Sequence, residues 1–441
     1  MRRIIRNAWI CTIDEQDNIK PQFGDLEFDD SGIIEITSRT PDHFSPASGN
    51  NEIDAEGRML TAPAVNFHEH IYSRLAKGLP VSGPMNNFVE ILENLWWKLD
   101  RTLDIDMVRA SAQMAAIESL QNGVTYLFDH HASPTAAKGS LSAIAEILQE
   151  FGLRSVLAFE ISDRNGKEIA RQSLRENVDF IRHGTNEDVK GMMGLHALFT
   201  ISDETLNAIA REMAELNTGI HIHVAEDKAD VQVNRQKYGR SIAERLQQYH
   251  LLNNRSLLIH GVHLQEQDYA IIDESGAALV YNPDSNLNNA VGLPDYAAVP
   301  MNIPLLTGTD GMHANVGRSL KQIFLLYRHQ GNSFEDTFAF VQKIFKNQLQ
   351  FVRRYFPDFT HLQPKDRADL VLWDYRPPTP VTNENFFGHY IYGLLESAAC
   401  TVFQNGMPLM LDKQIRMDEL STAQNNIRNQ GKRLFELFAK S

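Results

Sequence analysis

The first residues that could do chemistry are two histidines at the end of a short apolar run. Residues 61–71, TAPAVNFHEHI, end in a His-x-His motif formed by His68 and His70. In a strand these two imidazoles lie on the same side, because strand side chains repeat every two residues. Two imidazoles at the exposed end of a buried strand supply half of a four-ligand metal site. Two unrelated polar residues would give the same motif, so later stretches must supply the remaining ligands.

A second histidine pair ends another apolar segment, TGIHIHVAED, at His221 and His223. Glu226 follows His223 with HxxE spacing, which places one imidazole and one carboxylate near the same strand end. This spacing favours His223 as a metal ligand, and Glu226 in the following loop suits proton transfer. We expect His221 to be a packed or hydrogen-bonded histidine of the interior.

Two further segments end in groups that handle protons or bind a cation. His260 ends SLLIH, and His263 follows three residues later. Either imidazole could hydrogen-bond a bound water or a substrate atom, and the position favours His260. Asp310 ends IPLLTGTD, where a carboxylate can bind a metal and also accept a proton. Nitrogen and carboxylate ligands without thiolate suit Zn²⁺ first, with Fe²⁺ as the alternative. The predicted ligands are His68, His70, His223 and Asp310.

The elements that must position these groups follow a regular alternation. Eight short apolar segments between residues 59 and 310 are separated in most cases by segments of helical period, at 106–121, 140–151, 168–182, 203–216 and 230–249. This alternation predicts parallel βαβ units, and eight strands predict an α/β fold of the (β/α)8 TIM-barrel type. An open doubly wound sheet would need a glycine-rich turn after the first strand, where HEH stands instead.

Both ends of the chain have strand character instead. We predict a small β-sandwich domain from residues 1–57 and 362–415, a barrel domain over 58–361 and a terminal helix over 416–441. A long helical stretch is expected over 319–355. The segment 72–103 is long for a strand-to-helix connection and should border the site as a lid. Trp96 and Trp97 in this lid could equally fix a helix to the barrel or to a neighbouring subunit.

Composition restricts the classes of partner. The 441 residues are 43% hydrophobic and 22% charged, and the net charge of −14 argues against nucleic acid or anionic membrane as a partner. Cys11 and Cys400 are the two cysteines, which excludes a disulfide framework. The first residues read as a strand and not as a signal peptide, and no apolar run approaches the roughly 18 residues of a membrane span. We expect a soluble, cytoplasmic homodimer that binds a small molecule.

The motifs HEH, HIHVAED, IHGVH, YNPDSN and TGTDG, in this order, resemble those of the amidohydrolase superfamily. The resemblance is to the branch that contains guanine deaminase, adenosine-type deaminases and triazine chlorohydrolases. Longer stretches, such as NNFVEILENLWWKLD and NPDSNLNNAVG, are similar to the SsnA-type aminohydrolases. This resemblance covers nearly the whole chain. It implies a barrel, one divalent metal per chain on the four ligands above, and hydrolytic deamination of an amino-substituted nitrogen heterocycle.

The resemblance also implies roles for other residues. His260 would contact the hydroxide, Glu226 would shuttle a proton, and His196 would reach the substrate. Asn286 and Arg74 are weaker candidates for substrate binding, and no role is predicted for His130 and His131.

Three departures or alternatives bear on this expectation. Pro63-Ala64 replaces the usual Pro-Gly, which affects backbone freedom and not chemistry. The carboxylated lysine of the family's two-metal branch has no counterpart at the end of the fourth strand, since Lys190 lies at its start, which argues against a ring-opening enzyme of the dihydropyrimidinase type. Hydrolysis of a cyclic amide or a ring halide is the alternative reaction, and a non-catalytic, metal-free barrel scaffold is the alternative class of protein.

Overall fold

The computed structural model describes residues 1–41, 44, 46–47, 49 and 51–440. In these ranges the chain forms eighteen strands: β1 (Arg3–Ile13), β2 (Ile19–Asp29), β3 (Gly32–Ser38), β4 (Glu52–Asp54), β5 (Met59–Thr61), β6 (Ala64–Glu69), β7 (Val124–His131), β8 (Arg154–Phe159), β9 (Val189–Gly191), β10 (Met193–Ala197), β11 (Ile220–Val224), β12 (Leu257–His260), β13 (Ala278–Tyr281), β14 (Leu305–Thr307), β15 (Leu370–Trp373), β16 (Ala399–Gln404), β17 (Met407–Leu411) and β18 (Gln414–Ile415).

The same ranges contain fourteen α-helices: α1 (Phe88–Ile91), α2 (Trp97–Thr102), α3 (Ile105–Gln121), α4 (Ser140–Glu150), α5 (Lys167–Asp179), α6 (Asp203–Met213), α7 (Lys228–Tyr238), α8 (Ile242–Gln248), α9 (Glu266–Ser275), α10 (Pro283–Asn288), α11 (Val316–His329), α12 (Phe334–Val352), α13 (Phe386–Tyr392) and α14 (Leu420–Phe438). None of the helices in the described ranges combines the length and the hydropathy that a membrane crossing requires.

The two chain ends form a sheet of their own. Its strand order is β18-β17-β16-β15-β5-β1-β2-β3, with β4 paired to β1, so hydrogen bonds join the ends into one nine-stranded sheet. The antiparallel pairing of β15 with β5 connects the late strands to the early ones. A separate hydrophobic cluster lies on this sheet, where the rings of Phe28 and Phe403 are 4.9 Å apart. The pairing of the two ends agrees with the sequence, while the predicted domain boundaries stay a prediction.

The middle of the chain forms the parallel barrel that the alternation predicts. Strands β6 to β9 form one parallel sheet, and β10 to β14 form another. Single bridges close the two seams, between Ile161 and Leu195 and between Glu69 and Asp310. The fourth barrel strand is therefore split into β9, which pairs with β8, and β10, which pairs with β11. The second bridge brings the first and eighth barrel strands together at the point where the predicted metal ligands lie.

A buried asparagine of α5 forms hydrogen bonds with the backbone of both β8 and β10 where the fourth barrel strand is split. The Asn177 Oδ1 accepts hydrogen bonds from the backbone amides of Phe159 and Gly194, and its Nδ2 donates to the Phe159 carbonyl. A Cβ at Gly194 would lie 2.3 Å from the Phe159 carbonyl oxygen, so only glycine permits this close approach. The side chain thus satisfies backbone groups that a continuous ladder would otherwise pair.

Two of the predicted helical stretches are each divided in two by a glycine. The stretch 230–249 divides into α7 and α8, because Gly239 ends α7 in the left-handed region at φ 68° and Ser241 caps α8. The stretch 319–355 divides into α11 and α12 around Gly331, at φ 94°. Both corrections follow from the same property of glycine, which adopts positive φ without steric cost.

Candidate metal centre and catalytic pocket

The carboxyl ends of β6, β11 and β14 bring the four predicted metal ligands together. The His70 Nε2 lies 3.3 Å from Asp310 Oδ1 and 3.3 Å from the His223 Nε2. The His68 Nε2 lies 4.0 Å from Asp310 Oδ1. Two overlapping sets of possible ligands share His68, and within each set the ligand atoms lie within 4.8 Å of one another: His68, His70 and His223, and His68, His260 and Asp310. The structure therefore places one cation-sized donor cluster at the barrel mouth.

Backbone carbonyls of neighbouring strands orient two of these imidazoles. The His70 Nδ1 donates to the His130 carbonyl oxygen over 2.7 Å, and the His223 Nδ1 donates to the His196 carbonyl oxygen over 2.9 Å. Because a carbonyl oxygen can only accept, each Nδ1 carries the proton and each Nε2 keeps its lone pair. Fixing the tautomer in this way points a basic nitrogen at the shared centre, as outer contacts of metal-binding histidines commonly do.

The third imidazole is oriented by another histidine. The His68 Nδ1 lies 2.9 Å from the His221 Nε2, and both rings are fully buried. When His68 donates this hydrogen bond, its Nε2 keeps the lone pair that faces Asp310. The sequence predicted that His221 is an interior, hydrogen-bonded histidine, and this contact is the role it has in the structure.

The backbone adopts a positive φ angle at two strand ends of the site. His260 and Asp310 have φ of 74° and 55°, in the left-handed region that non-glycine residues seldom occupy. Gly308 allows the eighth barrel strand to lie against the first, because a Cβ there would meet the His68 carbonyl oxygen at 2.7 Å. The Thr309 and Asp310 amides donate to that same carbonyl over 2.8 and 3.0 Å. The aspartate is thereby fixed beside the histidine pair.

Burial keeps two of the predicted ligand imidazoles, those of His68 and His223, neutral. It lowers the pKa of His68 well below its ordinary value and that of His223 to about 4. Burial opposes ionisation of Asp310, yet the rings of His70, His260 and His223 outweigh it and lower the carboxyl pKa to about 2. At neutral pH His68 and His223 thus offer neutral nitrogens and Asp310 a carboxylate, the protonation states that bind a metal.

The donor set fits a divalent cation. Among the described residues, the His68 Nε2 is a buried nitrogen without a hydrogen-bond partner. Burying such a nitrogen costs free energy unless a partner compensates it. Neutral imidazole and carboxylate ligands without thiolate are those that zinc and ferrous iron accept. The cluster is therefore suited to hold a cation of this class.

The two predicted proton-handling groups stand beside the donor cluster. The His260 Nε2 lies 3.4 Å from Glu226 Oε2 and 3.5 Å from Asp310 Oδ2. Burial, reinforced by the charge of Asp310, raises the pKa of the Glu226 carboxyl well above its ordinary value. A carboxyl group with a raised pKa can carry a proton near neutral pH, which is the property that general acid–base catalysis requires.

These groups line one cavity at the mouth of the barrel. Its walls include His196 and, from the segment 72–103, the side chains of Tyr72, Phe88, Leu92, Trp96, Trp97 and Asp100. The segment contains α1, a wide helical turn (Leu92–Trp96) and α2. The long segment after the first barrel strand therefore borders the cavity, as its length and position predicted, and both tryptophans face it.

Comparison with known proteins identifies the family. A profile of the Amidohydrolase family matches residues 59–395. The chain belongs to the amidohydrolase family. The 5-methylthioadenosine/S-adenosylhomocysteine deaminase of Desulforudis audaxviator is 25% identical to this amidohydrolase, over 99% of the chain and 100% of the relative. The 5'-deoxyadenosine deaminase of Methanococcus maripaludis is 26% identical over 83% of the chain and 86% of the relative.

A solved structure supports the same fold. The structure of an adenosine deaminase from Xanthomonas campestris with bound zinc matches this amidohydrolase with a TM-score of 0.80. The match covers 98% of each chain at 18% sequence identity. At that identity the likeness establishes the barrel and its accompanying sheet.

The wall of the amidohydrolase cavity contains a charged group that the sequence motifs did not indicate. Arg164 forms ion pairs with Glu160 and Asp100, all three residues line the cavity, and the Arg164 guanidinium lies 5.5 Å from the Trp97 ring centre. Burial raises the pKa of Asp100 to about 7 although Arg164 opposes the shift. Glu160 ends the third apolar segment, RSVLAFE, so its place at a strand end was the feature that could have identified it.

Two predicted substrate contacts have partners in the protein itself. Arg74 is 1% exposed and forms an ion pair with Glu69, because a buried carboxylate needs a charged partner, and it does not line the cavity described above. Asn286 lies behind His260, where its Nδ2 donates to the His260 Nδ1 over 3.0 Å. Neither residue is among those that line the cavity, and substrate binding by Arg74 and Asn286 stays a prediction.

The histidines without a predicted role belong to the surroundings of the site. The His130 Nε2 donates to the Leu195 carbonyl oxygen, and its own carbonyl accepts from His70. The His131 ring contacts the Ser133 hydroxyl over 2.8 Å. His130 therefore helps to orient a predicted metal ligand, while His131 contacts Ser133 two residues along the chain.

Proposed function

We propose that this amidohydrolase catalyses the metal-dependent hydrolytic deamination of an amino-substituted nitrogen heterocycle. The observation that carries the proposal is the convergence of His70, His223 and Asp310 with Glu226 and His260 in the wall of one cavity, with the buried His68 grouped with them. The names of its relatives, which are deaminases of 5-methylthioadenosine, S-adenosylhomocysteine and 5'-deoxyadenosine, place aminopurine derivatives first among the substrates to test.

The four ligands His68, His70, His223 and Asp310 would hold one divalent cation. When bound, the cation lowers the pKa of water and makes a hydroxide nucleophile available at neutral pH. The carbonyl contacts of His70 and His223 keep their Nε2 lone pairs directed at the shared centre. The chain therefore contributes a cluster whose protonation state is set before any substrate binds.

The protein's own groups move the protons of the reaction. Asp310 accepts a proton from the attacking water, and Glu226 delivers a proton to the ring nitrogen as the new carbon–oxygen bond forms. The carbon–nitrogen bond to the amino group then breaks, and a second proton transfer through Glu226 releases the amine as ammonia. His260, with its Nε2 between the two carboxylates, holds the oxygen of the nucleophile in place. Water and the amino compound give ammonia and the ring carbonyl.

His196 is the proposed substrate contact. Its Nδ1 lies 2.9 Å from the Thr200 hydroxyl, which itself donates to the Ala197 carbonyl oxygen. The Thr200 oxygen therefore accepts from the Nδ1, and the His196 Nε2 remains an acceptor for a donor group of the substrate. The aromatic walls formed by Phe88, Trp96 and Trp97 suit a flat ring, which stacks on such surfaces.

The test is ammonia release from a panel of purines, their nucleosides, pterins and triazines. We expect ammonia and the corresponding oxo product from at least one aminopurine derivative, with turnover reduced by roughly 10²–10⁴-fold in a Glu226→Gln control. Release of chloride from a chlorinated triazine, with no ammonia released from any compound of the panel, would support hydrolysis of a ring halide instead of deamination. A protein that holds no metal and turns over no member of the panel would identify the scaffold alternative.

Three finer expectations from the sequence are carried forward as proposals. Zinc is favoured over iron because a solved structure of the same fold holds zinc, and elemental analysis decides between them. A homodimer is proposed as the assembly, and light scattering tests it. A cytoplasmic location is proposed from the composition, and fractionation of the source cells tests it.

A further inference from the structure

Two asparagines of one short segment contact both proton-handling groups from behind. Helix α10 and the residue after it, within the stretch NPDSNLNN, carry Asn286 and Asn289 on their buried side. The Asn286 Nδ2 donates to the His260 Nδ1 over 3.0 Å, and the Asn289 Nδ2 donates to Glu226 Oε1 over 3.2 Å. One short element therefore touches the imidazole and the carboxyl group to which the mechanism gives the proton transfers.

The contact from Asn289 gives the two carboxyl oxygens of Glu226 different hydrogen-bonding partners. Oε1 accepts from the amide of Asn289, whereas Oε2 faces the His260 Nε2 at 3.4 Å. The orientation of the Asn289 amide is itself supported, because the Asn288 Nδ2 donates to the Asn289 Oδ1 over 3.1 Å. An anchored Oε1 leaves Oε2 as the oxygen that gains and loses the proton.

The contact from Asn286 selects the tautomer of His260. A neutral imidazole has one donor and one acceptor nitrogen, so an Nδ1 that accepts from an amide leaves the proton on Nε2. The Nε2 faces two carboxylate oxygens, Glu226 Oε2 and Asp310 Oδ2, at 3.4 and 3.5 Å. A donor nitrogen is the form that suits two acceptors, so the surroundings on both sides of the ring agree.

The segment is anchored away from the reacting groups. Asp284 is buried, forms an ion pair with Arg318 at 2.8 Å, and has its Oδ2 3.3 Å from the His313 Nε2. Both partners lie after the eighth barrel strand, so the segment is tied to the same part of the barrel as Asp310. Its outer side faces solvent, where Leu287 is 46% exposed. The segment can therefore position side chains without taking part in metal binding.

We infer that Asn289 and Asn286 are positioning residues that fix which oxygen of Glu226 and which nitrogen of His260 carry the proton. The inference rests on the proposed function for its kinetic consequences, since only turnover requires the protons at these atoms. Its structural part, the tautomer of His260, does not depend on the identity of the substrate.

The test of the tautomer is the Asn286→Asp variant, which keeps the size of the side chain and replaces the donor by an acceptor. We expect the His260 Nδ1 to become protonated in this variant, read from ¹⁵N shifts of histidine-labelled protein and assigned by comparison with His260→Gln. In the wild type the proton should be on Nε2. A wild-type His260 with its proton on Nδ1, or a variant with an unchanged spectrum, would overturn the inference.

The kinetic test compares Asn289→Ala and Asn286→Asp with Leu287→Ala, a control on the exposed side of the same helix. Loss of such outer contacts typically costs about 10- to 100-fold in activity. We expect kcat to fall by about this factor in the two asparagine variants, with KM within a few-fold and one equivalent of metal retained. Unchanged kcat in both would refute the positioning role. Absence of deamination in the wild type would instead refute the proposed function and leave the tautomer measurement standing.

Discussion

Replacing Glu226 by glutamine tests the assignment of the proton to this residue. Glutamine keeps the length of the side chain, and its carbonyl oxygen can still accept from Asn289, as Glu226 Oε1 does over 3.2 Å. Its amide nitrogen then takes the place of Oε2, 3.4 Å from the His260 Nε2, and cannot shuttle a proton. Positioned acid–base groups contribute roughly 10²–10⁴-fold, so kcat should fall by that factor, or about 3–5 kcal/mol of transition-state stabilisation.

The assay separates turnover from binding. Steady-state ammonia release gives kcat, equilibrium binding of an unreactive analogue gives Kd, and elemental analysis gives the metal content. We expect Kd within a few-fold of wild type and an unchanged metal content, because the carboxyl group acts in the transition state. The control is Asp227→Asn, the same chemical change one residue along the chain, where the side chain caps α7 and asparagine also caps well. Near-normal turnover in Glu226→Gln would show that another residue carries the proton.

Three other predictions concern the metal, the pH and the lid. His68→Ala should lose the roughly one equivalent of metal found in the wild type while circular dichroism shows a folded barrel, and full retention of metal would contradict the ligand set. Burial raises the pKa of Asp230 to about 7 from 3.8, so its charge destabilises the fold as pH rises through that interval. The free energy of unfolding of Asp230→Asn, relative to wild type, should therefore increase from pH 5 to pH 8 by on the order of 1–4 kcal/mol, measured by urea unfolding. An equal difference between variant and wild type at the two pH values would refute this. Trp97→Ala should raise KM about 2- to 10-fold for flat substrates through lost stacking, and unchanged kinetics across the panel would remove the tryptophan from substrate recognition.

The sequence was sufficient for the barrel and for the ligand cluster because both depend on strand ends. A residue at the carboxyl end of a barrel strand lies at the barrel mouth, independently of the conformation of the loops. His68, His223 and Asp310 could therefore be placed together from their sequence segments alone. The seam in the fourth strand was not predictable in the same way. It depends on Asn177, a helix residue whose amide pairs with backbone groups of β8 and β10. Nothing in the period of its own helix indicates that contact.

Side chains that leave the strand end were harder to predict, because their direction is set by partners distant in sequence. Arg74 turns inward to Glu69, and Asn286 turns towards His260. Both are polar residues near the mouth, which is why substrate contacts were expected of them. Glu160 is the opposite case: no role was predicted for this strand-end carboxylate, and it lies in the cavity wall paired with Arg164.

The outer contacts of the site come from the strands that neighbour each ligand. His70 is oriented by a carbonyl of β7 and His223 by the carbonyl of His196 in β10, so each imidazole takes its tautomer from the adjacent strand of the barrel. Asp310 is held by the amide contacts that close the barrel against His68. Any change that separates two neighbouring strands would therefore alter the protonation pattern of the ligands as well as their positions. The contacts between neighbouring strands that close the barrel therefore also orient the side chains that we propose as metal ligands.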